Sequence, residues 1–297
     1  MNILITGGSG QVGQSLLELD WPDSVRLFAP MRGDCDLADP ASLAACLESW
    51  DWAGVINAGA YTAVDKAESE QAAAWAINAN APEQVARFCA DKQIPLIHIS
   101  TDYVFSGQGT RAWREEDATA PLGVYGASKL AGEQAVLALH PKAVVLRTAW
   151  VISAFGHNFL KTMLRLAADR DELRVVADQF GCPTSAHDLA TVIRTILLRQ
   201  LAQTDAPTGL FHSVNAGDTH WAGLARHIFA TSRSVGGPFS EVIDIPTSDY
   251  PTSAKRPANS RLDCTKLNHH YGLKIRPWTE AVAEIVSRLV DKKGSAS

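Results

Sequence analysis

A glycine-rich turn follows the first apolar segment of the chain and opens the first helical pattern. Gly7, Gly10 and Gly13 lie directly after Ile3–Thr6 and overlap the start of Val12–Leu19. The first glycine permits a tight turn, the second lets backbone approach a pyrophosphate, and the third lets the helix lie close to the sheet. The helix N-terminus supplies free N–H groups and a partial positive charge. The spacing predicts dinucleotide binding, with an ordinary structural turn as the alternative.

Strand and helix patterns alternate through the first half of the chain. Apolar segments predict buried strands at Ile3–Thr6, Arg26–Ala29, Gly54–Asn57, Leu96–Ser100 and Ala143–Arg147. The segments between them predict helices at Val12–Leu19, Ala41–Trp50, Ala72–Asn78, Pro82–Lys92 and Gly126–Leu139. This order implies right-handed crossovers and an α/β fold with a doubly wound, parallel, Rossmann-type sheet.

The alternation weakens after about Trp150, where turn signals such as Gly181-Cys182-Pro183 appear. We therefore expect residues 1–150 to form a coenzyme-binding Rossmann domain. Residues 151–297 should form mainly a smaller, partly interleaved C-terminal substrate domain. Some segments, Ala186–Gln200 among them, are expected to return and pack on the first domain.

Composition excludes several classes of partner. Apolar residues make up 46% of the chain and charged residues 20%, as in an ordinary globular protein. The net charge of −5 argues against general binding to nucleic acid or to an anionic membrane. The N-terminus shows neither a signal peptide nor a membrane anchor, and the five scattered cysteines include no Cys-x-x-Cys pair. We expect a cytoplasmic protein with reduced thiols.

The end of the second strand predicts which coenzyme is bound. No acidic residue follows Leu27 closely enough to bond a ribose 2′-hydroxyl, whereas Arg32 lies nearby. This favours NADPH, with NADH as an alternative coenzyme. Asp36-Leu37 and Asn57–Ala60 fall where an adenine and its ribose would lie, although Asp36 could instead be a helix-capping or solvated carboxylate.

Tyr125 and Lys129 lie four residues apart, and hence on the same face of a helix. A ketone reduced by hydride must receive a proton on its oxygen. A tyrosine can donate that proton, and a nearby lysine cation would lower the tyrosine pKa from its reference value near about 10. The same spacing also arises by chance, so the pair alone does not establish the chemistry.

Thr101 ends the central apolar segment Leu96–Ser100 and so lies at the crevice where ligands bind in such sheets. Its hydroxyl could polarise the same carbonyl oxygen, or it could be a turn residue at the end of a strand. His98 within that strand is interpreted as a hydrogen-bonded core histidine.

These motifs together carry a resemblance that covers nearly the whole chain. It rests on the glycine turn, Tyr-x-x-x-Lys, and the segments 57–65, 101–107, 147–151, 158–164, 178–184 and 250–262. The chain resembles the extended short-chain dehydrogenase/reductases and, within them, the dTDP-4-dehydrorhamnose reductase family. The resemblance implies reduction of dTDP-4-dehydro-β-L-rhamnose to dTDP-β-L-rhamnose with NADPH, the last step of dTDP-L-rhamnose biosynthesis.

The resemblance also implies roles for individual residues. The catalytic residues would be Thr101, Tyr125 and Lys129, and Asp102 and Trp150 would contact the sugar nucleotide. The coenzyme would be lined by Gly10, Gln11, Val12, Asp36, Leu37, Ala60, Tyr61, Thr62, Tyr125 and Lys129. Physically, Trp150 offers an apolar face to a deoxysugar, and Arg256 and Arg261 offer donors to a diphosphate. Core packing for Trp150 and surface ion pairs for the two arginines stay open as alternatives.

Two rival functions share parts of this pattern. A sugar-nucleotide 4,6-dehydratase or 4-epimerase has the same turn and Tyr/Lys pair, but a dehydratase of this kind places a glutamate where this chain has Tyr103. The β subunit of methionine adenosyltransferase resembles these reductases yet serves as a regulatory binding partner. The intact set of Thr101, Tyr125 and Lys129 favours catalysis.

Some members of the resembled family dimerise through Mg²⁺ held by glutamates. Here the matching places hold Ser15 and the neighbourhood of His187-Asp188. Mg²⁺ prefers carboxylate oxygen ligands, so we predict no metal site and regard dependence on Mg²⁺ as doubtful. Homodimerisation is an expectation that comes from the resemblance alone.

Overall fold

A six-stranded parallel sheet forms the centre of the fold, in a computed structural model that describes residues 1–294. Its strands are β1 (Asn2–Thr6), β2 (Arg26–Phe28), β3 (Trp52–Asn57), β4 (Leu96–Thr101), β5 (Val144–Thr148) and β10 (Gly209–His212). The order across the sheet is β10-β5-β4-β3-β1-β2, and every neighbouring pair is parallel. The five strands predicted from the first half, and the doubly wound parallel sheet, are therefore confirmed.

Helices cover both faces of this sheet. They are α1 (Gln11–Glu18), α2 (Pro40–Glu48), α3 (Val64–Ala67), α4 (Gln71–Trp75), α5 (Ala81–Lys92), α6 (Val124–Leu139), α8 (Ala186–Ala202) and α10 (Thr265–Tyr271). Leu16 and Ile193 pack on one face of the sheet, and Leu43, Val85 and Val136 pack on the other. Burial on both faces explains why the strands show no polar alternation.

Three segments of the second half pack with the first, namely α8, which spans the expected segment Ala186–Gln200, together with α10 and β10. Helix α8 packs against α1, and β10 extends the sheet at the free edge of β5. No strand was predicted at β10, which lies in the second half of the chain, where the alternation of strand and helix patterns weakens. The structure also differs from the prediction at Ala72–Asn78. The predicted helix is in fact α4 followed by a π-helical turn at Ala76–Asn80.

The rest of the second half forms a smaller unit with its own core. Its strands are β6 (Val151–Ile152), β7 (Glu172–Val176), β8 (Phe180–Gly181), β9 (Thr184–Ser185), β11 (Thr219–His220), β12 (Glu241–Ile245) and β13 (Asn259–Ser260). Its helices are α7 (Phe159–Leu166), α9 (Trp221–Ser234) and α11 (Trp278–Gly294). Leu160, Phe229 and Val286 belong to its apolar cluster. The division at residue 150 stays a prediction, because β10 and α8 belong to the first sheet and its cover.

No helix within residues 1–294 combines the length and the apolarity needed to cross a lipid bilayer.

Candidate active site

The glycine turn has the close-packed geometry that the spacing predicted. Gly7 has a φ of 71°, and a Cβ at this position would lie 2.5 Å from the backbone of Gly59. A Cβ on Gly13 would collide with the carbonyl oxygen of Gly7, whereas one on Gly10 would meet only that oxygen, at 3.2 Å. Helix α1 begins at Gln11 with no side chain capping it. The turn thus offers uncapped N–H groups and open space beside Gly10 for a pyrophosphate.

The side chain of Gln11 connects this turn to the second half of the chain. Its Oε1 accepts hydrogen bonds from Ser153 Oγ at 2.9 Å and Asn158 Nδ2 at 2.9 Å. Its Nε2 donates to the carbonyl oxygen of Val151 at 3.3 Å. The side chain of Gln11 is thus occupied within the protein, so the predicted coenzyme contact of Gln11 would have to come from its backbone at the start of α1.

The predicted adenosine end lies in the loop after β2. Arg32 is largely exposed, and its Nε lies 3.6 Å from Asp36 Oδ1. The same carboxylate accepts the backbone N–H of Ala38 at 2.9 Å and so closes a turn, whereas the residue that caps α2 is Asp39. Leu37 packs against Gly59 beside the glycine turn. This loop therefore places an exposed guanidinium near the coenzyme turn.

Asn78 holds the segment Ala60–Thr62, which follows β3 at the same edge of the sheet. The buried Asn78 side chain accepts the backbone N–H of Tyr61 at 2.8 Å and donates to the carbonyl oxygen of Tyr61 at 3.1 Å. Its Nδ2 also donates to Ser128 Oγ at 3.1 Å, on the helix that carries Tyr125 and Lys129. Sequence reasoning missed Asn78, because an asparagine within a helical pattern gives no signal until its partners are known.

Thr101 and Asp102 lie at the end of β4, as predicted. Thr101 pairs with Thr148 of β5, and its Oγ1 donates to Asp102 Oδ1 at 3.0 Å. Asp102 is buried, and the Ser260 hydroxyl lies close enough to its carboxylate to lower the pKa. Burial has the larger effect and raises the pKa of Asp102 to about 6. A carboxylate at the sheet crevice suits a sugar hydroxyl.

Tyr125 and Lys129 share one face of α6, and both lie against the end of β4. Lys129 is buried, and its Nζ donates to the carbonyl oxygen of Ile99 at 2.6 Å. Burial lowers the pKa of Lys129 to about 8, and the nearby Glu133 opposes this shift. Burial raises the pKa of the Tyr125 phenol, and a hydrogen bond with Thr101 opposes that rise. The structure therefore brings the three predicted catalytic side chains together.

The expectation that the pKa of Tyr125 lies below its reference value is wrong in this structure. Tyr125 is half-buried, and burial raises the pKa of the phenol more than the hydrogen bond with Thr101 lowers it. Lys129 directs its ammonium to Ile99 rather than to the phenol. Tyr125 is consequently a fully protonated donor at neutral pH.

His98 has the structural role expected from the sequence. It is fully buried on β4, and its Nδ1 lies 3.1 Å from Asn57 Nδ2. Asn57 in turn accepts a hydrogen bond from Thr6 Oγ1 at 2.6 Å. Burial lowers the pKa of His98 well below its usual value, so the ring is neutral. This network links three neighbouring strands inside the core.

Arg256 reaches the active site from the C-terminal half. Its Nη2 lies 2.5 Å from Asp65 Oδ2, and its Nη1 donates to the Tyr103 hydroxyl at 3.1 Å. The Tyr103 ring meets that of Tyr125 edge to face, with centroids 5.4 Å apart. Arg256 therefore lies one side chain from the phenol. Arg261 instead pairs with Asp218 at 2.6 Å, in line with the ion-pair alternative.

Trp150 lies next to β5, but the expectation that it offers an apolar face is wrong. Its ring stacks on that of Trp221, with centroids 3.5 Å apart and planes 11° apart. The backbone of Gly181 lies over the ring as well. The packing of the second half, which a local pattern does not reveal, covers the ring faces.

The residues at the places of the Mg²⁺-binding glutamates have other partners. Ser15 is buried and donates to the carbonyl oxygen of Gln11 at 2.9 Å. Asp188 pairs with Arg276 at 2.9 Å and accepts from Asn215 at 2.6 Å, while His187 is exposed. In the part of the chain that the structure describes, no group of three or more His, Cys, Asp or Glu side chains is placed to hold a metal ion.

Comparison with known proteins gives one consistent family. The profile of the family described as the RmlD substrate binding domain matches residues 1–290. The dTDP-4-dehydrorhamnose reductase of Sinorhizobium fredii is 42% identical over 98% of this chain and 98% of its own length. That of Escherichia coli K12 is 41% identical over 97% and 98%.

Solved structures agree with these relatives. The dTDP-4-dehydrorhamnose reductase of Clostridium acetobutylicum is 35% identical, with a TM-score of 0.90 over 97% of this chain and 99% of that one. The enzyme of Bacillus anthracis, solved in complex with NADP, is 32% identical, with a TM-score of 0.89 over the same shares.

Proposed function

The chain belongs to the RmlD substrate binding domain family, that of the dTDP-4-dehydrorhamnose reductases, and on this premise we propose the reaction it performs. It reduces dTDP-4-dehydro-β-L-rhamnose to dTDP-β-L-rhamnose with NADPH, the last step of dTDP-L-rhamnose biosynthesis. The observation that carries the proposal is the meeting of Thr101, Tyr125 and Lys129 at the end of β4. The glycine turn follows β1, which lies two strands from β4 in the same parallel sheet, so both sites fall at the same edge of that sheet.

The coenzyme is held by backbone and by a few side chains. The N–H groups at the start of α1 and the space beside Gly10 suit the pyrophosphate, and Arg32 suits a ribose 2′-phosphate. Ala60, Tyr61 and Thr62, anchored by Asn78, line the part nearer to α6. Bound NADPH supplies the hydride that adds to the carbonyl carbon of the sugar.

The side chains of this protein handle the proton. The Tyr125 O–H bond breaks as its proton passes to the carbonyl oxygen. The single hydroxyl proton of Thr101 turns from Asp102 Oδ1 to donate a hydrogen bond that polarises the same oxygen. The raised pKa of Tyr125 keeps the phenol protonated until that moment. Lys129, one helical turn away, provides a positive charge that stabilises the phenolate that is left.

A direct assay tests the proposed function. The purified protein, without any second protein, should oxidise NADPH when given dTDP-4-dehydro-β-L-rhamnose, and the product should be dTDP-β-L-rhamnose. A panel of other 4-keto-sugar nucleotides serves as the control and defines the preferred epimer. No NADPH oxidation with any of them would favour the regulatory-subunit alternative, and loss of water from a substrate would favour the dehydratase.

Arg32→Ala should reduce the preference for NADPH over NADH. Arg32 is exposed beside the coenzyme turn and makes only a 3.6 Å ion pair with Asp36, so its guanidinium is available to a 2′-phosphate. We expect kcat/KM for NADPH to fall about tenfold, with kcat/KM for NADH changed less than about twofold. Steady-state kinetics with both coenzymes measure the ratio, and an equal ratio in wild type and variant would remove Arg32 from 2′-phosphate recognition.

Binding of the sugar nucleotide should weaken in acid. Because burial raises the pKa of Asp102 to about 6, its carboxylate takes up a proton as the pH falls through that value and loses hydrogen-bond acceptors. We expect kcat/KM for the sugar nucleotide to fall below about pH 6. Asp102→Asn should have a low kcat/KM without this acid limb. If the limb persists in Asp102→Asn, it belongs to another group.

The proposal also covers the location of the protein, its assembly and its division into domains. We place the protein in the cytoplasm, a location supported by five free cysteines. Homodimerisation and the division into residues 1–150 and 151–297 are carried over as proposals from the sequence analysis.

A further inference from the structure

The backbone of Trp150 has an unusual conformation. Its φ is 48°, in the left-handed region that a large aromatic residue rarely adopts. The carbonyl oxygen of Trp150 accepts the backbone N–H of Thr184 at 3.1 Å, which ties this conformation to β9. A costly backbone state beside a ligand crevice persists only where the surrounding structure holds it.

The indole of Trp150 lies between two partners. Trp221 stacks on one face at 3.5 Å. A Cβ added to Gly181 would lie 2.6 Å from Cε2 of the indole and 2.9 Å from both Cζ2 and Nε1. Since Cε2 is the nearest of the three atoms, Gly181 approaches the ring from above and not along its edge. Trp221 would block such an approach on its own side, so Gly181 covers the opposite face.

This arrangement leaves the edge of the indole for a ligand. Nε1–H of Trp150 makes no hydrogen bond to the described residues. It is not fully buried, so solvent or a ligand can reach it. Trp150 itself is half-buried. An indole N–H is a donor only, so the exposed edge suits an acceptor oxygen.

Trp221 is itself held in place from behind. Its Nε1 donates to Gln179 Oε1 at 3.1 Å, and Gln179 Nε2 donates to Thr247 Oγ1 at 3.0 Å. Thr247 donates onward to Asp178 Oδ1 at 2.5 Å. The indole N–H of Trp221 is therefore used within the protein, and these hydrogen bonds anchor the ring.

We propose that Trp221 and Gly181 are positioning residues that hold the Trp150 indole edge-on, so that its Nε1–H donates to an oxygen of the sugar. Trp150 would be the residue in contact with the substrate, and Trp221 would act only through it. The proposal rests on the proposed function, because it takes the ligand to be a nucleotide sugar.

The kinetic test is a double-mutant cycle. Trp150→Phe and Trp221→Leu should each raise KM for dTDP-4-dehydro-β-L-rhamnose about tenfold, the weight of one net hydrogen bond, with KM for NADPH unchanged. The KM of the double variant for the sugar nucleotide should be no higher than that of the single variant with the higher KM, because both changes remove the same contact. Trp221→Phe keeps an aromatic stack and should recover most of the affinity. Additive losses, or an unchanged sugar-nucleotide KM in Trp221→Leu, would overturn the proposal.

A spectroscopic readout reports the stack without catalysis. Two indoles this close couple electronically and should give a paired positive and negative band in far-ultraviolet circular dichroism. The band should vanish in Trp150→Phe and Trp221→Leu and persist in Trp50→Leu, which removes an exposed indole elsewhere. Gly181→Ala, which forces a methyl group against the ring, should alter the band and raise the same KM. A band unchanged in Trp221→Leu contradicts the stack.

Binding measurements separate the two proposals. Affinity for dTDP, which lacks the sugar, should be equal in wild type and Trp221→Leu, whereas affinity for dTDP-β-L-rhamnose should fall about tenfold. A wild-type protein that binds neither compound would contradict the proposed function, while the circular dichroism band would still test the stack. Equal loss of affinity for both compounds would place the contact on the nucleotide and refute the edge-to-sugar proposal.

Discussion

Tyr125→Phe is expected to lower kcat of the NADPH-dependent reduction by at least ~10²-fold, the usual contribution of a positioned acid. The ring would still meet Tyr103 edge to face, so the local packing is kept. Only the proton donor is lost, and water must replace it. NADPH affinity, measured by fluorescence titration, should stay within about twofold of wild type.

The matched control is Tyr271→Phe. Tyr271 lies on α10, and its hydroxyl donates to the carbonyl oxygen of Pro207. Its ring belongs to the apolar cluster that packs α1 and α8 on the sheet. The substitution should leave kcat unchanged while costing some stability. If Tyr125→Phe retains most of its turnover, Tyr125 is not the acid, and a water held by Thr101 becomes the donor to test.

Glu133→Gln is expected to lower the free energy of unfolding by about 3–5 kcal/mol, the cost of leaving a buried charge unpaired. Glu133 of α6 and Arg147 of β5 form a two-point ion pair in which each side chain is only 3% exposed. The Arg147 guanidinium also lies over the ring of Phe105, at 4.8 Å from its centroid. Glutamine keeps the shape but not the charge, so the guanidinium stays buried without its counterion.

Urea denaturation measures this loss, with Glu83→Gln as the control. Glu83 pairs with Arg87 at 2.9 Å on the surface, where the side chains are 47% and 60% exposed. An exposed pair of this kind on one helix contributes about 0.3–0.5 kcal/mol. Similar losses in the two variants would mean that the α6–β5 pair is solvated in solution.

Local patterns were enough to predict the framework. Helix and strand periods revealed five of the six strands of the sheet, because a strand buried on both faces reads as a continuous apolar run. The β10 strand was missed because it lies in the second half of the chain, where strand and helix patterns no longer alternate, and far along the chain from its partner β5. The π-helical turn that carries Asn78 was missed because helix periodicity does not distinguish it from an α-helix.

The candidate site likewise has some features that local sequence patterns predict and others that they do not. The order Gly7, Gly10, Gly13 and the four-residue spacing of Tyr125 and Lys129 describe contacts within one turn or one helix, so they can be seen in the sequence. The pKa of Tyr125 could not be predicted in direction, because it depends on how far α6 and β4 together exclude water.

The sequence by itself determined the α/β class, the coenzyme turn and the position of the catalytic pair, since each of these depends on neighbours within a few residues. Only the tertiary structure decided how the distant partners meet. Arg256 lies 191 residues from its partner Asp65, and Trp221 covers a face of Trp150 that the residue type alone had suggested was free. Such contacts form when separate apolar faces are buried together, and no local period encodes which side chains then become neighbours.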